Sequence, residues 1–414
     1  MTTAAPIVEP VSRTAEFATY AAGFFSLSLV PMSALVVPLW SLELAASPTL
    51  IGIAVGIRSL LPAFLSIHGG ALMDRLGVRR VMIHTAIVGV LLPPLYPMLP
   101  SMAAVIMLQL LTGLTQAIAW IGAQTQIAQL TKGSATHAGR LSFASTAGTF
   151  AGPLVIGWTW DQFGVVGAFA LLTIWSVALL TAVLLLPAAP AAARKSGSDS
   201  IGWRDLLPRL ADYRAAVALL AVPAIAFVIA ATLLRISVIS IQQSFYTVYL
   251  ESIAFPGTLI GTLIGLSSLI GGPAALLAGP ATRWLGAAPM LVVSIAVAVV
   301  AISITPLLSG IPALMTAAAV CGVGLGLSLP LVVTVIARGA EGQRQGMSFG
   351  LRGTANRVGS LIIPIAMGAI ADLFGLLESF AVVGIALLLL TGVAALTIRR
   401  LPVTDPSSPQ GKTA

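Results

Sequence analysis

Four arginines lie inside long apolar stretches of the sequence, where a charged side chain is costly. They are Arg58, Arg235, Arg352 and Arg357. At the centre of a bilayer an arginine costs about 2.5–3.5 kcal/mol on insertion scales, so each is expected to face a cavity or a partner rather than lipid. The sequence places no carboxylate at the same depth. Unpaired positive charge in a low-dielectric cavity favours an anionic ligand.

Two interpretations of these arginines stay open. In the first, Arg58, Arg235 and Arg357 bind an anionic small molecule, and Arg352, which lies nearer to one end of its stretch, belongs to a gate. In the second, the guanidinium groups bind helix carbonyls and lock parts of the molecule together.

Neutral polar side chains in the same stretches are candidates for the same cavity. Gln242 and Tyr246 are four residues apart, which places them on one face of a helix, whereas Gln243 points elsewhere. The substrate-binding candidates besides the arginines are Gln124, Gln242, Tyr246 and Asn356.

Other kinds of chemistry find little support. The sequence has no Gly-x4-Gly-Lys-Ser/Thr motif, so nucleotide-driven chemistry is not expected. It also has no His/Cys/carboxylate cluster with metal-ligand spacing. We therefore predict no catalytic residue, no metal, no cofactor and no enzymatic activity. Cys321, the single cysteine, lies in an apolar stretch and is interpreted as a small buried hydrophobe.

The composition indicates a membrane protein. Of 414 residues, 58% are hydrophobic and only 8% are charged, with a mean hydropathy of +1.03. A soluble protein carries roughly 25% charged residues. The polar residues form short clusters between apolar stretches of about 20 residues, the length of a helix that crosses a bilayer. The predicted fold class is an all-α polytopic membrane protein.

Twelve transmembrane helices are predicted, in two pseudo-symmetric halves of six. Their predicted ranges are 16–41, 48–69, 81–99, 102–130, 141–160, 165–187, 216–250, 257–279, 289–308, 312–337, 346–370 and 377–398.

The predicted domains follow from these helices. Residues 1–187 form the N-terminal half, 188–214 a cytoplasmic linker, and 215–400 the C-terminal half. Residues 401–414, rich in Pro and Ser, are predicted to be a disordered tail.

The distribution of positive charge predicts the topology. Seventeen Lys and Arg residues fall on the side of the predicted termini, and none falls in the opposite loops. By the positive-inside rule both termini lie in the cytoplasm and the protein is a multi-pass inner membrane protein. Charge that faces anionic lipid also accounts for the net charge of +8 without nucleic acid as a partner.

An internal repeat relates the two halves. Residues 49–60 align with 258–269 at an offset of 209, with seven of twelve positions identical. A second block, 148–164, matches 359–375 at an offset of 211. In such paired halves a substrate site near the bilayer midplane is the expected geometry.

A dense charged segment follows the second predicted helix. It contains Gly70, Asp74, Arg75, Gly77, Arg79 and Arg80. Its pattern, Gly-x3-Asp-Arg-x-Gly-x-Arg-Arg between helices two and three, resembles the signature loop of the major facilitator superfamily. We expect its glycines to allow a tight turn and close helix contact. In the second half Arg283 stands at the position of Asp74, so the second copy is degraded.

The fifth predicted helix carries a second match, which is similar to the superfamily's antiporter signature. Its residues are Gly139, Gly148, Gly152, Pro153 and Gly157. Plain packing of small residues in membrane helices is the alternative interpretation. Many proton-coupled exporters of the family have an arginine four residues before a glycine in helix four. Here Gln109 precedes Gly113, which speaks against the usual route of proton antiport and leaves proton coupling open.

The resemblance implies a monomeric secondary transporter that moves a small organic solute by alternating access. The arginines favour an anionic solute, and the antiporter-like motif favours efflux. An importer or anion exchanger with the same fold is the first alternative. A membrane sensor without transport is the second, and the absence of a large connector other than 188–214 argues against it.

Overall fold

The computed structural model describes residues 12–131, 134–187, 219–339 and 344–398. The predicted linker 188–214 and tail 401–414 lie outside these ranges. Fourteen α-helices make up most of the described chain: α1 Arg13–Glu43, α2 Pro48–Ile57, α3 Leu60–Leu76, α4 Val78–Met98, α5 Met102–Leu130, α6 Ala135–Leu184, α7 Pro223–Gln242, α8 Phe245–Ser252, α9 Gly257–Leu276, α10 Ala278–Leu285, α11 Ala287–Ser303, α12 Ile311–Gly339, α13 Arg344–Phe374 and α14 Leu376–Thr397.

These helices are consistent with the predicted twelve spans. Within the described residues, ten helical segments are long and apolar enough to cross a membrane, and the bent pair α10–α11 supplies an eleventh. The twelfth comes from α6, which has 50 residues. At 1.5 Å per residue it would be about 75 Å long, far more than the ~30 Å of a bilayer core.

A single glycine divides α6 into two spans. Gly164 has φ 60° and ψ −155°, a conformation outside the helical region. Glycine adopts a positive φ without the clash that a Cβ would cause. The predicted helices 141–160 and 165–187 are therefore the two arms of α6.

The second predicted span is interrupted at its centre. Helix α2 ends at Ile57, Arg58 and Ser59 form a turn, and α3 begins at Leu60. Helix α3 then continues to Leu76, so Gly70 lies on a helix and the expected loop there is wrong. The turn consists of Gly77 alone, which has φ 90° and connects α3 directly to α4.

Two other predicted spans differ in detail. The seventh is α7 and α8, which are separated by Gln243 and Ser244. The third is helix α4, which begins at Val78, three residues before the predicted start at 81, and continues through its three prolines to Met98.

The backbone repeats the symmetry of the sequence. Six of the seven positive φ angles among the described residues occur at corresponding positions of the two halves, at the offsets of 209 or 211 found in the sequence; the seventh, at Gly310 (87°), has no counterpart. The pairs are Ala45 (52°) with Ala254 (60°), Gly77 (90°) with Gly286 (81°), and Gly164 (60°) with Gly375 (101°). The two halves therefore share these three turns between corresponding helices.

We call the end of the bundle where α1 begins and α14 ends the near end, and the opposite end the far end. Two helix pairs join the halves at the far end, and we call them the seams. In the α2–α13 seam, α2 glycines lie against α13 carbonyls: a methyl group on Gly52 would overlap the carbonyl oxygen of Pro364, and one on Gly56 that of Leu361. Gly368 of α13 lies in the same way against Pro48.

The α6–α9 seam repeats these contacts. A methyl group on Gly261 would overlap the carbonyl oxygen of Pro153, and one on Gly265 would lie 2.7 Å from that of Phe150. Gly157 lies against the carbonyl of Gly257. Without side chains between them, the helices meet backbone to backbone, the close approach that small residues permit in membranes.

Four glycines toward the near end have no such neighbours, although a methyl group on Gly272 of α9 would still lie 3.3 Å from Cγ2 of Thr146 on α6. A methyl group on Gly70, Gly139, Gly279 or Gly353 would meet no atom within 4 Å. The described halves are thus closed together at the far end, and these four glycines face open space.

The α6–α9 seam predicts that alanine substitutions at two glycines have very different effects on stability. Gly261→Ala should lower the thermal stability of the purified protein by about 1–3 kcal/mol, because overpacking forces the backbones apart. Gly353→Ala is the matched control, and it should be neutral or slightly stabilising because alanine favours helix. Equal melting temperatures for the two variants in detergent would contradict the described seam.

Candidate functional site

Arg58 stands at the break between α2 and α3. Gly113 of α5 leaves room for the backbone at this break, because a methyl group at Gly113 would overlap the carbonyl oxygen of Arg58. The side chain is partly buried, and its buried Nη1 has no hydrogen-bond partner among the described residues. An unpaired buried guanidinium nitrogen carries a large desolvation cost, so a ligand that accepts its hydrogen bond would bind well.

Arg357 lies beside Arg58, on the other half of the molecule. Helices α2 and α13 run antiparallel and touch at Gly56 and Leu361. Arg58 is two residues beyond that contact on α2, and Arg357 is four residues before it on α13. Both are therefore just on the near side of the seam, and their charges repel each other.

A small polar network borders Arg58 within the N-terminal half. The Tyr96 hydroxyl donates to Oε1 of Gln109 over 3.3 Å and lies 3.1 Å from Oγ1 of Thr112. Tyr96 is within electrostatic reach of Arg58, and its ring stacks on Phe169 at 4.8 Å. Gln109 thus holds a tyrosine in place next to the charged site.

Arg235 has a different environment. Its Nε donates to Oγ of Ser328 over 2.9 Å, which links α7 to α12 inside the C-terminal half. Its positive charge is repelled by that of Arg352. The buried Nε of Arg352 has no partner among the described residues. Arg235 is therefore at least partly satisfied by its own half, unlike Arg58.

No carboxylate neutralises these four arginines within the described part of the chain. The one ion pair found there joins Nε2 of His137 to Oε1 of Glu16 at 3.2 Å, at the near end. Apposed, uncompensated cations are destabilising unless water or an anion lies between them.

Gln242 and Tyr246 share one surface, but it lies inside the C-terminal half. Both are buried and line a small cavity together with Thr305 and Cys321. The corresponding residues of the N-terminal half line a cavity of about 30 Å³, which is larger than the one in the C-terminal half. Its polar lining includes Ser33, at the position of Gln242 in the repeat.

The remaining polar candidates occupy separate places. Gln124 is exposed on α5, two turns from Gln116 toward the near end. Gln116 itself is buried, and its Nε2 donates to the Leu29 carbonyl and to Oγ of Ser33. Asn356 is partly buried on α13, next to Arg357.

The charged segment Gly70–Arg80, which spans the end of α3 and the start of α4, makes one side-chain contact with another helix among its described residues. Nη2 of Arg79 donates to the carbonyl oxygen of Leu184 over 2.8 Å. A cation at the carboxyl end of α6 is stabilised by the helix dipole. Arg80 is exposed, and the side chains of Asp74 and Arg75 lie outside the described part of the structure.

The antiporter-like residues of α6 divide between two partners. Gly148 and Gly152 pack on α1: a methyl group on Gly148 would lie 2.5 Å from the Phe24 carbonyl oxygen, and one on Gly152 2.9 Å from Cγ of Met32. Pro153 and Gly157 belong to the seam with α9. The motif therefore joins α6 both to its own half and to the other half.

A comparison with protein families gives one family, described as Major Facilitator Superfamily, whose model matches residues 17–301 and 225–414. The chain belongs to the Major Facilitator Superfamily. The resemblance inferred from the charged segment is thereby confirmed. A comparison with curated protein sequences found no match.

Three solved transporter structures share the fold at low identity. The nucleoside transporter NupG has a TM-score of 0.75 at 13% identity, over 94% of this chain and 100% of that one. A POT family transporter in complex with a thioalcohol-conjugated peptide has 0.71 at 12%, over 94% and 96%. The human organic anion transporter MFSD10 (TETRAN) has 0.60 at 16%, over 94% and 99%.

Sequence reasoning missed the partners of its own candidates. Ser328 and Tyr96 were not singled out, because their proximity to Arg235 and Arg58 depends on how the helices pack. Asp161 and Asp372 lie within the repeated blocks 148–164 and 359–375 and were not candidates, yet each contacts the other half at the far end. Their common place in the repeat, with Thr258 and Thr49, was the available signal.

The arginines differ in a way that stability measurements can test. Arg58→Gln and Arg357→Gln should each stabilise the protein in detergent without added anions by about 1 kcal/mol and so raise its melting temperature, because a repulsive charge is removed. Arg235→Gln should lower it, since the bond to Ser328 is lost. Destabilisation of similar size in all three variants would contradict this assignment.

Proposed function

We propose that this protein is a secondary transporter that moves a small organic anion out of the cell by alternating access. The observation that carries the proposal is the apposition of Arg58 and Arg357 from opposite halves, with no carboxylate partner among the described residues. An anion between them would neutralise both charges and contact both halves at once.

The surroundings of the two arginines support a solute with neutral polar groups as well. Asn356 lies on the same helix as Arg357, and Tyr96, which carries a hydroxyl group, lies near Arg58. We assign Arg58 and Arg357 as the primary anion ligands. Arg235, Gln124, Gln242 and Tyr246 stay in the proposed substrate set as secondary residues, since they lie within one half or near its end.

Efflux is supported by three features. The described halves are closed at the far end, and by the positive-inside rule the near end faces the cytoplasm, so the site would load from inside. The inside-negative potential assists export by about 2.3 kcal/mol per charge per 100 mV. Two of the antiporter-like residues, Pro153 and Gly157, form part of the α6–α9 seam. Import or anion exchange would be the outcome if counterflow exceeds net export.

Relatives in the fold handle several solute classes, and one of them fits this charge pattern. MFSD10 is described as an organic anion transporter, whereas NupG is described as a nucleoside transporter and the POT family member binds a peptide conjugate. At such low identity the similarity shows the fold alone. The anion assignment therefore depends on the arginines of this chain.

Transport by purified protein tests the anion site. In reconstituted vesicles screened with organic anions, Arg58→Gln and Arg357→Gln should each reduce transport by roughly 10–100-fold, the loss of one charged hydrogen-bond partner. Arg283→Gln removes one exposed charge near the near end and serves as the control. If the Arg58→Gln and Arg357→Gln variants both transport like the control, the anion site is wrong.

Topology can be tested separately in cells. Reporter domains fused at the two termini should both be active in the cytoplasm, and the protein should fractionate with the inner membrane. A reporter inserted at Pro100, between α4 and α5, should be on the opposite side. Activity of the terminal fusions outside the cytoplasm would reverse the proposed direction.

A further inference from the structure

Two aspartates cross the seams at the far end and hold the start of a helix in the other half. Asp161, beyond the α6 seam glycines, accepts hydrogen bonds from the backbone N–H of Gly257 over 2.6 Å and of Thr258 over 2.7 Å. Its Oδ2 also accepts from the Thr258 hydroxyl over 2.5 Å. These donors are the first residues of α9.

The second contact is the counterpart of the first. Oδ2 of Asp372, near the end of α13, accepts from the backbone N–H of Thr49 over 2.9 Å and from the Thr49 hydroxyl. Asp372 corresponds to Asp161 at an offset of 211, and Thr49 to Thr258 at 209. The same aspartate-to-threonine contact is therefore made in both directions across the molecule.

Each aspartate acts as a helix cap supplied by the other half. The first N–H groups of a helix have no partner within it, and the positive end of the helix dipole favours a carboxylate. Helix α9 begins after Pro256, which provides no side-chain cap, so Asp161 takes that role. Helix α2 has its own cap, because Oγ of Ser47 accepts from the N–H of Leu50.

These contacts exist only while the far end is closed. Donor and acceptor belong to different halves, so separation of the seams breaks all five hydrogen bonds. An interaction present in one state and absent in the other shifts the equilibrium between them by its full free energy. A cap within one half would stabilise both states alike.

We propose that Asp161 and Asp372 are paired latches that determine how often the far end opens. They are positioning residues of the transport cycle and do not touch the solute site. The two differ in strength: the Asp161 latch makes three hydrogen bonds and holds an otherwise uncapped helix, whereas the Asp372 latch makes two and has Ser47 as a local substitute. The inference extends the proposed transport cycle but is observable without any solute.

The test measures the width of the far end. Spin labels at Pro100→Cys and Ser309→Cys, exposed and equivalent loop positions of the two halves, report the separation by pulsed electron resonance. A Cys321→Ser background leaves these as the reactive thiols. In the parent protein we expect one short distance. Asp161→Ala should add a longer component with about tenfold higher population, the effect of losing about one charged hydrogen bond net.

Graded variants separate a latch from a general structural role. Asp372→Ala should produce a smaller long component than Asp161→Ala, and the double variant a larger one. Asp161→Asn, which keeps one acceptor oxygen, should fall between parent and alanine, and it replaces the alanine variant if that one does not fold. Glu43→Gln is the control, because it removes an exposed far-end charge that makes no hydrogen bond in the described structure.

Two results would overturn the proposal. One is an unchanged distance distribution in both the Asp161→Asn and Asp372→Ala variants. The other is an equal shift in Glu43→Gln, which would assign the effect to surface charge alone. Because the measurement uses no solute, the latches can fail while the anion site holds, and the reverse is equally distinguishable.

Discussion

The structure depends on backbone-to-backbone contact between the two halves. In lipid there is no hydrophobic force to drive helices together, so association requires close packing and hydrogen bonds. Glycines opposite carbonyl oxygens supply that packing in both seams, at positions related by the internal repeat. The twofold arrangement of the halves follows from this pairing, and so does the location of the charged site at its edge.

The buried positive charge has the opposite character. Seam glycines stabilise the closed far end, whereas Arg58 and Arg357 repel each other directly beside it. Functional sites commonly retain such unfavourable arrangements because a ligand compensates them. Arg235 is a partly buried arginine that the fold itself satisfies in part, through its bond to Ser328.

Much of this architecture follows from the sequence alone. Apolar length predicted the spans, and the repeat at Thr49 and Thr258 predicted the two halves. The break at Arg58 could not be predicted, because it depends on Gly113 approaching from another helix. Helical spacing placed Gln242 and Tyr246 on one face. It could not indicate whether that face lines the space between the halves or the interior of the C-terminal half. Such orientation is decided by tertiary packing, which local patterns do not contain.

The interruption of the second span at Arg58 has a mechanical consequence. This turn lies close to the middle of the span and immediately beside the last glycine contact of α2, at Gly56. A rocking motion of two rigid halves moves their ends most and their fulcrum least. Over arms of about 15 Å, half a bilayer core, a rotation of about 10° displaces an end by roughly 2.6 Å on each side. Arg58 and Arg357 would sit near the fulcrum, so their spacing changes little while access to them changes from one end to the other.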